Sequence, residues 1–271
     1  MASQKLSDRE TFPPSAFEAE IALIIKDDAG RIRKELAGIR RILEYELRLR
    51  PPRTIYDTYY DTRKNSLRRK KISLRTRRMG KTLIISTKSD IQIISGNIIR
   101  RRETELPWSY DSVCLLARTL RLKTPAISAS RFQSIPPPRT LTTMGLNVIQ
   151  ERRTRREARD IVRRNKNPNS TLAELAIDRV TYTFEDITVG LSEVEVEAKS
   201  PRSLANVQKI ANMLISKYQP NLQQWFHGKF VTGLAIGKLS KIGALQSYLE
   251  KGRLGPKAFE AIDRTIRSRR F

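Results

Sequence analysis

A chain of 271 residues can bury one large core or two modest ones, and 39% apolar residues is far from a disordered composition. The single cysteine, Cys114, excludes an internal disulfide, and with one histidine, His227, no conventional zinc site can be assembled. A formal net charge of +25 favours polyanionic partners (nucleic acid, polyphosphate, phosphorylated metabolites or an anionic membrane surface) without choosing among them.

From the N-terminus, residues 1–16 are polar, with a Pro-Pro pair, and read as an extended lead-in. No basic flank precedes a long apolar run, so neither a signal peptide nor a transmembrane segment is expected, and the protein reads as soluble and cytoplasmic. Residues 17–25 alternate around Glu18 and Glu20 before turning apolar, as a strand does. Apolar residues at three- and four-residue spacing predict a helix over 27–49, ended by Pro51 and Pro52. Strands follow at 54–61, 72–78, 81–88 and 98–106, with Gly80 at a hairpin turn. A helix is predicted over 109–122 and a proline-rich loop over 124–140. Further strands are predicted at 146–156, 174–184 and 190–198, with a polar connection over 157–171 between the first two. Residues 201–218 form an amphipathic helix with Pro201 in its first turn. Residues 235–271 are a basic helical tail, set apart from a domain over 17–234.

The run Glu193-Val-Glu195-Val-Glu197 places three carboxylates on one strand face. Such carboxylates repel one another unless cations sit between them, and oxygen-rich clusters suit Mg²⁺ or Mn²⁺. An exposed edge strand would also account for this run taken alone. Charged residues of both signs recur two apart on other strands: Glu18 and Glu20, Arg75 and Arg77, Arg101, Glu103 and Glu105, Arg153 and Arg155, with Lys88 closing its strand. Many strands, few helices and charged alternation imply a closed antiparallel barrel with a polar interior. Carboxylates there would hold divalent metal, and arginine and lysine would hold phosphate oxygens. On that reading, part of the +25 lines the interior. Gly80-Lys81-Thr82 is not a phosphate loop, because Arg75 stands where that motif needs glycine. Cys114 reads as core, and His227 as a structural or rim residue.

The ordered series resembles the CYTH, or triphosphate tunnel metalloenzyme, superfamily over roughly 17–234. It comprises Glu18-Ala-Glu20, Tyr59-Tyr60-Asp61-Thr62, Leu74-Arg75-Thr76-Arg77, Thr82 to Lys88, Arg101-Arg-Glu103-Thr-Glu105, Arg153-Thr-Arg155, Ile177-Asp178-Arg179, Gly190 to Glu197 and Gly228-Lys229-Phe230. The resemblance implies an eight-stranded antiparallel closed barrel flanked by helices, and hydrolysis of a terminal phosphoryl group with Mg²⁺ or Mn²⁺. It implies Glu18, Glu20, Glu193 and Glu195 as metal ligands, with Glu105 and Glu197 as further candidates. Arg75, Arg77, Lys88, Arg101, Arg153, Arg155 and Lys229 would clamp phosphates, Asp178 would orient an arginine, and Glu103 would be a further orienting residue. Inorganic triphosphate is the expected substrate, because no base- or thiamine-recognition device is visible. An RNA 5′-triphosphatase using the basic surface, a class IV adenylate cyclase, a thiamine triphosphatase and a non-catalytic polyphosphate- or RNA-binding module are the alternatives, and a homodimer is left open. Two departures stand out. The family's Glu-x-Glu-x-Lys has Ala22 at its lysine, and His227-Gly228 replaces the closing serines. The first favours the binding-module alternative.

Overall fold

Charged residues alternating with apolar ones force each strand to present one face to a core and the other to something polar. The computed structural model describes residues 16–89, 91–94, 97–163, 171–185, 187–250 and 252–268. In chain order the first half carries β1 (Ala16–Ile25), α1 (Ala29–Gly38), β2 (Arg41–Ile42), β3 (Tyr45–Leu49), β4 (Arg53–Thr62), α2 (Ser66–Arg69), β5 (Ser73–Met79), β6 (Thr82–Lys88), β7 (Gln92–Ile94), β8 (Ile98–Pro107) and α3 (Tyr110–Leu120). The second half carries α4 (Ala129–Phe132), α5 (Pro137–Thr143), β9 (Leu146–Arg163), β10 (Thr171–Thr183), β11 (Thr188–Ala198), α6 (Leu204–Tyr218), β12 (Leu222–Gln224), α7 (Lys229–Lys241), β13 (Leu249–Glu250), β14 (Arg253–Leu254) and α8 (Pro256–Arg267).

Eight of these strands form a ring in the order β1-β8-β6-β5-β4-β9-β10-β11, and each neighbouring pair is antiparallel. The ring closes where β11 pairs back on β1, with Glu20 opposite Glu197 and Ile25 opposite Ser192. Closure removes the sheet edges and leaves a lumen, as the alternation predicts.

The outer faces carry the apolar cores. Ile21, Leu23, Leu175, Val194 and Val196 pack against Ile32 and Leu36 of α1 and Val207, Ile210 and Leu214 of α6. On the other side Leu74 and Ile85 meet Val113 and Leu116 of α3, together with Trp108, Phe132 and Leu141. Each such side chain stabilises the fold by about 2 kcal/mol, which offsets the cost of a charged lumen. A third cluster joins inward-facing Ile24, Val180, Tyr182, Val189 and Leu191 to Ala235 and Ile236 of α7 and Phe259 and Ile262 of α8. This cluster seals one end of the barrel. Among the described residues no helix is long and apolar enough to cross a membrane.

Several boundaries differ from the sequence reading. The helix expected over 27–49 ends at Gly38, and the rest forms the β2–β3 hairpin. Apolar residues at 39, 43 and 47 fit a helical spacing, but burial at Tyr45 and Leu47 follows a period of two. That period matches β9, where Leu47 lies opposite Ile161. For the same reason the polar connection expected over 157–171 is strand as far as Arg163, because Ala158, Ile161 and Val162 are buried. Residues 164–170 lie outside the described residues, as do 1–15 of the lead-in. The loop expected over 124–140 contains α4 and the start of α5, which bury Phe132 and Leu141. The boundary expected at 234/235 falls inside α7, and the tail beyond it packs through α8 into the cluster that seals the barrel.

Candidate functional site

The barrel's inward parity draws the charged residues together. On one wall Lys88 Nζ lies 2.6 Å from Glu18 and 3.0 Å from Glu103. Arg101 reaches Glu18 at 2.9 Å and Glu20 at 2.5 Å. Arg75 donates to Ser86 Oγ at 2.9 Å and Glu103 at 2.9 Å, with Glu105 at 3.4 Å. Opposite, Arg156 forms a two-pronged pair with Asp178 at 2.9 and 2.7 Å and also donates to Glu195. Lys229, at the first turn of α7, lies 2.9 Å from Glu193 and 3.1 Å from Asp178 and also donates to Glu195. Arg77 pairs with Asp57 at 2.7 Å, and Arg152 donates to Asp57 and, at 2.9 Å, to the Tyr59 hydroxyl.

Crowding sets the protonation of these groups. Burial, with Glu195 and Glu18 beside it, pushes the Glu20 carboxyl up to about 8. Burial pushes Glu193 up to about 7 although Lys229 opposes it. Burial would also raise Glu18 and Glu195, but Lys88 and Arg101 at the first, and Lys229 and Arg156 at the second, outweigh it and hold both well below the usual range. Asp57 is likewise held low by Arg75, Arg152 and Arg77 against the effect of burial. Each of these pairs is costly to bury and costlier to break.

Not every donor or acceptor is engaged. Arg152 Nε and Nη1 and Glu193 Oε2 are buried and have no hydrogen-bond partner. Buried polar groups are rarely left so, and these are the groups that an anion and a cation would satisfy. Carboxylate oxygens as donors fit a hard divalent ion. Among the described residues no three carboxylate, imidazole or thiol groups converge to hold a metal, because lysine and arginine now clasp the glutamates. A cation entering there would take the place of those clasps.

Most of the sequence-predicted residues meet in the lumen, but two do not. Arg153 and Arg155 are exposed on the outer face, and β9 turns Arg152 and Arg156 inward instead. The register decides this: Arg152 lies opposite Asp57 of β4 and Tyr182 of β10, and Arg156 lies opposite Asp178. Two arginine doublets flank Thr154, so either parity offers two arginines, and the i, i+2 rule picks the wrong pair. Glu105 is 45% exposed at the mouth, and Glu197 pairs with Lys199 at 2.8 Å rather than with the inner cluster. Sequence reasoning missed Asp57, Tyr59, Arg152, Arg156 and Glu174. Asp57 was findable, since it stands two residues before Tyr59 on one strand face. Asp61, by contrast, is structural: it accepts from the amides of Thr62, Leu67 and Arg68 and anchors α2.

Helix α7 supplies the remaining geometry. Phe230 stacks on Tyr59 with centroids 4.6 Å apart, and its carbonyl accepts from Gln150. Gly228 stands where a Cβ would lie 2.7 Å from Arg101 Nη1, so a serine there would move the tip of the Arg101 side chain. His227 is tied to Asp263 of α8 at 2.7 Å.

The CYTH domain model matches residues 24–221, well over half of the chain. This chain belongs to the CYTH domain family. Similar solved structures include a putative adenylyl cyclase from Hippeastrum, described as having a dominant triphosphatase activity. It is 14% identical over 80% of this chain and 94% of its own, with a TM-score of 0.48. An RNA triphosphatase of S. pombe is 10% identical over 94% and 83%, with a TM-score of 0.37. A Mimivirus capping-enzyme triphosphatase is 12% identical over 78% and 92%, with a TM-score of 0.38. No curated protein matches the chain.

Proposed function

We propose that this CYTH protein is a metal-dependent triphosphate hydrolase whose first substrate is inorganic tripolyphosphate. One observation supports this above the others: a single closed lumen holds unspent buried arginine donors on Arg152 and an unspent buried carboxylate oxygen on Glu193. Arg75, Arg77, Lys88, Arg101, Arg152, Arg156 and Lys229 would bind phosphate oxygens, the arginines in two-pronged fashion. Asp178 would keep Arg156 aimed, and Glu103 would aim Arg75 and Lys88. Glu18, Glu20, Glu193 and Glu195 would hold Mg²⁺ or Mn²⁺, which when bound neutralises phosphate charge and acidifies water. The sealed end around α7 would exclude bulk water from one side of the phosphate chain.

The lysine absent at position 22 is not replaced by a new base, because Lys229 is already the closing-motif lysine, but the acid it would face keeps a cation. Ala22 lies opposite Glu195 in the β1–β11 register, and Lys229 reaches Glu195 from α7. Ala22 nevertheless motivates a second reading, a polyphosphate-binding module without turnover. The test is phosphate release from tripolyphosphate, ATP, thiamine triphosphate and 5′-triphosphorylated RNA with Mg²⁺ and with Mn²⁺, beside Glu195→Ala. Release from tripolyphosphate that E195A abolishes is expected. If all four substrates stay intact with both metals while tripolyphosphate still binds, the protein is the binding module.

A further inference from the structure

Outside the barrel, a cavity of ≈ 770 Å³ lies between the start of α1, the outer faces of β10 and β11, and the β14 segment. Arg33, Arg179 and Arg253 line it together with Lys26. Arg33 Nη1 donates to Ser192 Oγ at 2.7 Å, and Ser192 is the cross-strand partner of Arg179. Arg253 sits beside Gly190 in the β11–β14 pair. Among the described residues none of these three arginines forms an ion pair with a carboxylate, in contrast to every base of the lumen. Arg33 is pulled down by burial and by Arg179 and Arg253, with Glu157 the one acid whose charge opposes this. Of the cavity's acids, Asp28 holds Arg31 at 2.5 Å and Asp27 accepts from the Asp28 amide, while Glu250 lies opposite Arg253 in the β13–β14 pair without forming an ion pair with it. Arg155, left outside by the parity of β9, stands directly opposite Arg179 and extends the basic face.

Three arginines held together without an ion-paired carboxylate repel one another until an anion arrives. The cavity is far larger than one phosphate needs and falls within the range of small-molecule sites, with Leu254 and Pro256 offering apolar surface. We infer that this cavity is a second anion site, distinct from the lumen, that binds the phosphate group of a small phosphorylated molecule through Arg33, Arg179 and Arg253.

Hydrogen–deuterium exchange of the full-length protein, without and with pyrophosphate or adenosine 5′-monophosphate, separates this site from the lumen by position. Protection is expected in peptides covering 26–33 and 252–256, in the wild type and equally in the lumen variant Lys229→Met. The double variant Arg179→Ser/Arg253→Ser should lose that protection, with about tenfold to a hundredfold weaker binding at the cavity, while its thermal midpoint stays that of the wild type because both side chains are exposed. Stronger protection by the nucleotide identifies an organic phosphate ester as the ligand, and equal protection identifies the phosphate group alone. Either ranking supports the site. Protection confined to barrel peptides, or cavity protection that survives in the double variant, overturns it.

Discussion

Replacing Glu20 with glutamine tests the electrostatics of the lumen directly. Glu20 is buried beside Arg101, and burial together with Glu195 and Glu18 pushes its pKa from 4.5 up to about 8. A carboxyl that holds its proton more tightly when folded contributes its full stability below the unfolded value of 4.5, and that contribution is lost as pH rises through 8. The whole displacement corresponds to about 5 kcal/mol. Relaxation within a lumen reached by water leaves roughly 2 to 3 kcal/mol of it. For a chain of this size that is about 5 °C in Tm. Glutamine keeps an oxygen for Arg101 but never ionises. In chelator, E20Q should therefore melt with the wild type at about pH 5 and above it, by about that margin, at about pH 8.5. Adding Mg²⁺ at the higher pH should raise the wild type and leave E20Q behind, because the cation takes the proton's place. Thermal denaturation followed by circular dichroism across that range reads both effects. A deficit in E20Q that is constant with pH, or one that grows as pH rises, would refute the crowded-carboxylate picture.

Other positions make separate demands. Arg152→Met takes one of two close arginine partners from buried Asp57, which keeps Arg77, and should cost roughly 1 to 3 kcal/mol in urea unfolding, whereas exposed Arg153→Ala should stay within about 0.5 kcal/mol. Equal costs would show that the β9 parity is wrong. Gly233→Ala would bring a Cβ to 2.1 Å from Gln150 Nε2 and 2.5 Å from Tyr182, displacing α7. A loss of about 1 to 3 kcal/mol is expected in the same assay. Lys229→Met leaves Glu193, Glu195 and Asp178 without their shared ammonium, so tripolyphosphate turnover should fall at least tenfold. Unchanged turnover would remove Lys229 from the site.

The closed barrel was legible because a period of two survives even where both faces are unusual: charges inside, aliphatic residues under helices outside. Glu18, Glu20, Arg75, Arg77, Arg101, Glu193 and Glu195 were all findable from that period alone. What failed were segments in which two periods coincide. Ile39, Leu43 and Leu47 satisfy helical spacing as well as the β2–β3 hairpin, and only pairing with β9 decides between them. Arg152 through Arg156 satisfies both strand parities, and the decision belongs to Asp57 and Asp178 on neighbouring strands. Residues reached from a helix, such as Lys229, carry no strand signal, and the resemblance to a known closing motif had to supply it.

The charge of the chain also reads differently once parity is known. The lumen's acids (Glu18, Glu20, Asp57, Glu103, Glu105, Glu174, Asp178, Glu193, Glu195, Glu197) outnumber its bases (Arg75, Arg77, Lys88, Arg101, Arg152, Arg156, Lys229), and the rim bases Arg50, Arg53 and Lys199 bring it only to balance. Seven bases of the chain do line the interior, but with acids beside them the lumen holds at most a small positive surplus at neutral pH, when Glu20 and Glu193 are pushed up to about 8 and about 7, and most of the +25 lies elsewhere in the chain. A lumen so near balance has little net pull on a polyanion. Its bases are already held by carboxylates, so a phosphate chain gains them only as those carboxylates find another cation. On the proposed function, selectivity for a phosphate chain that arrives with a divalent ion would follow from that exchange. The outer arginines, which have no carboxylates to release, should bind anions without one.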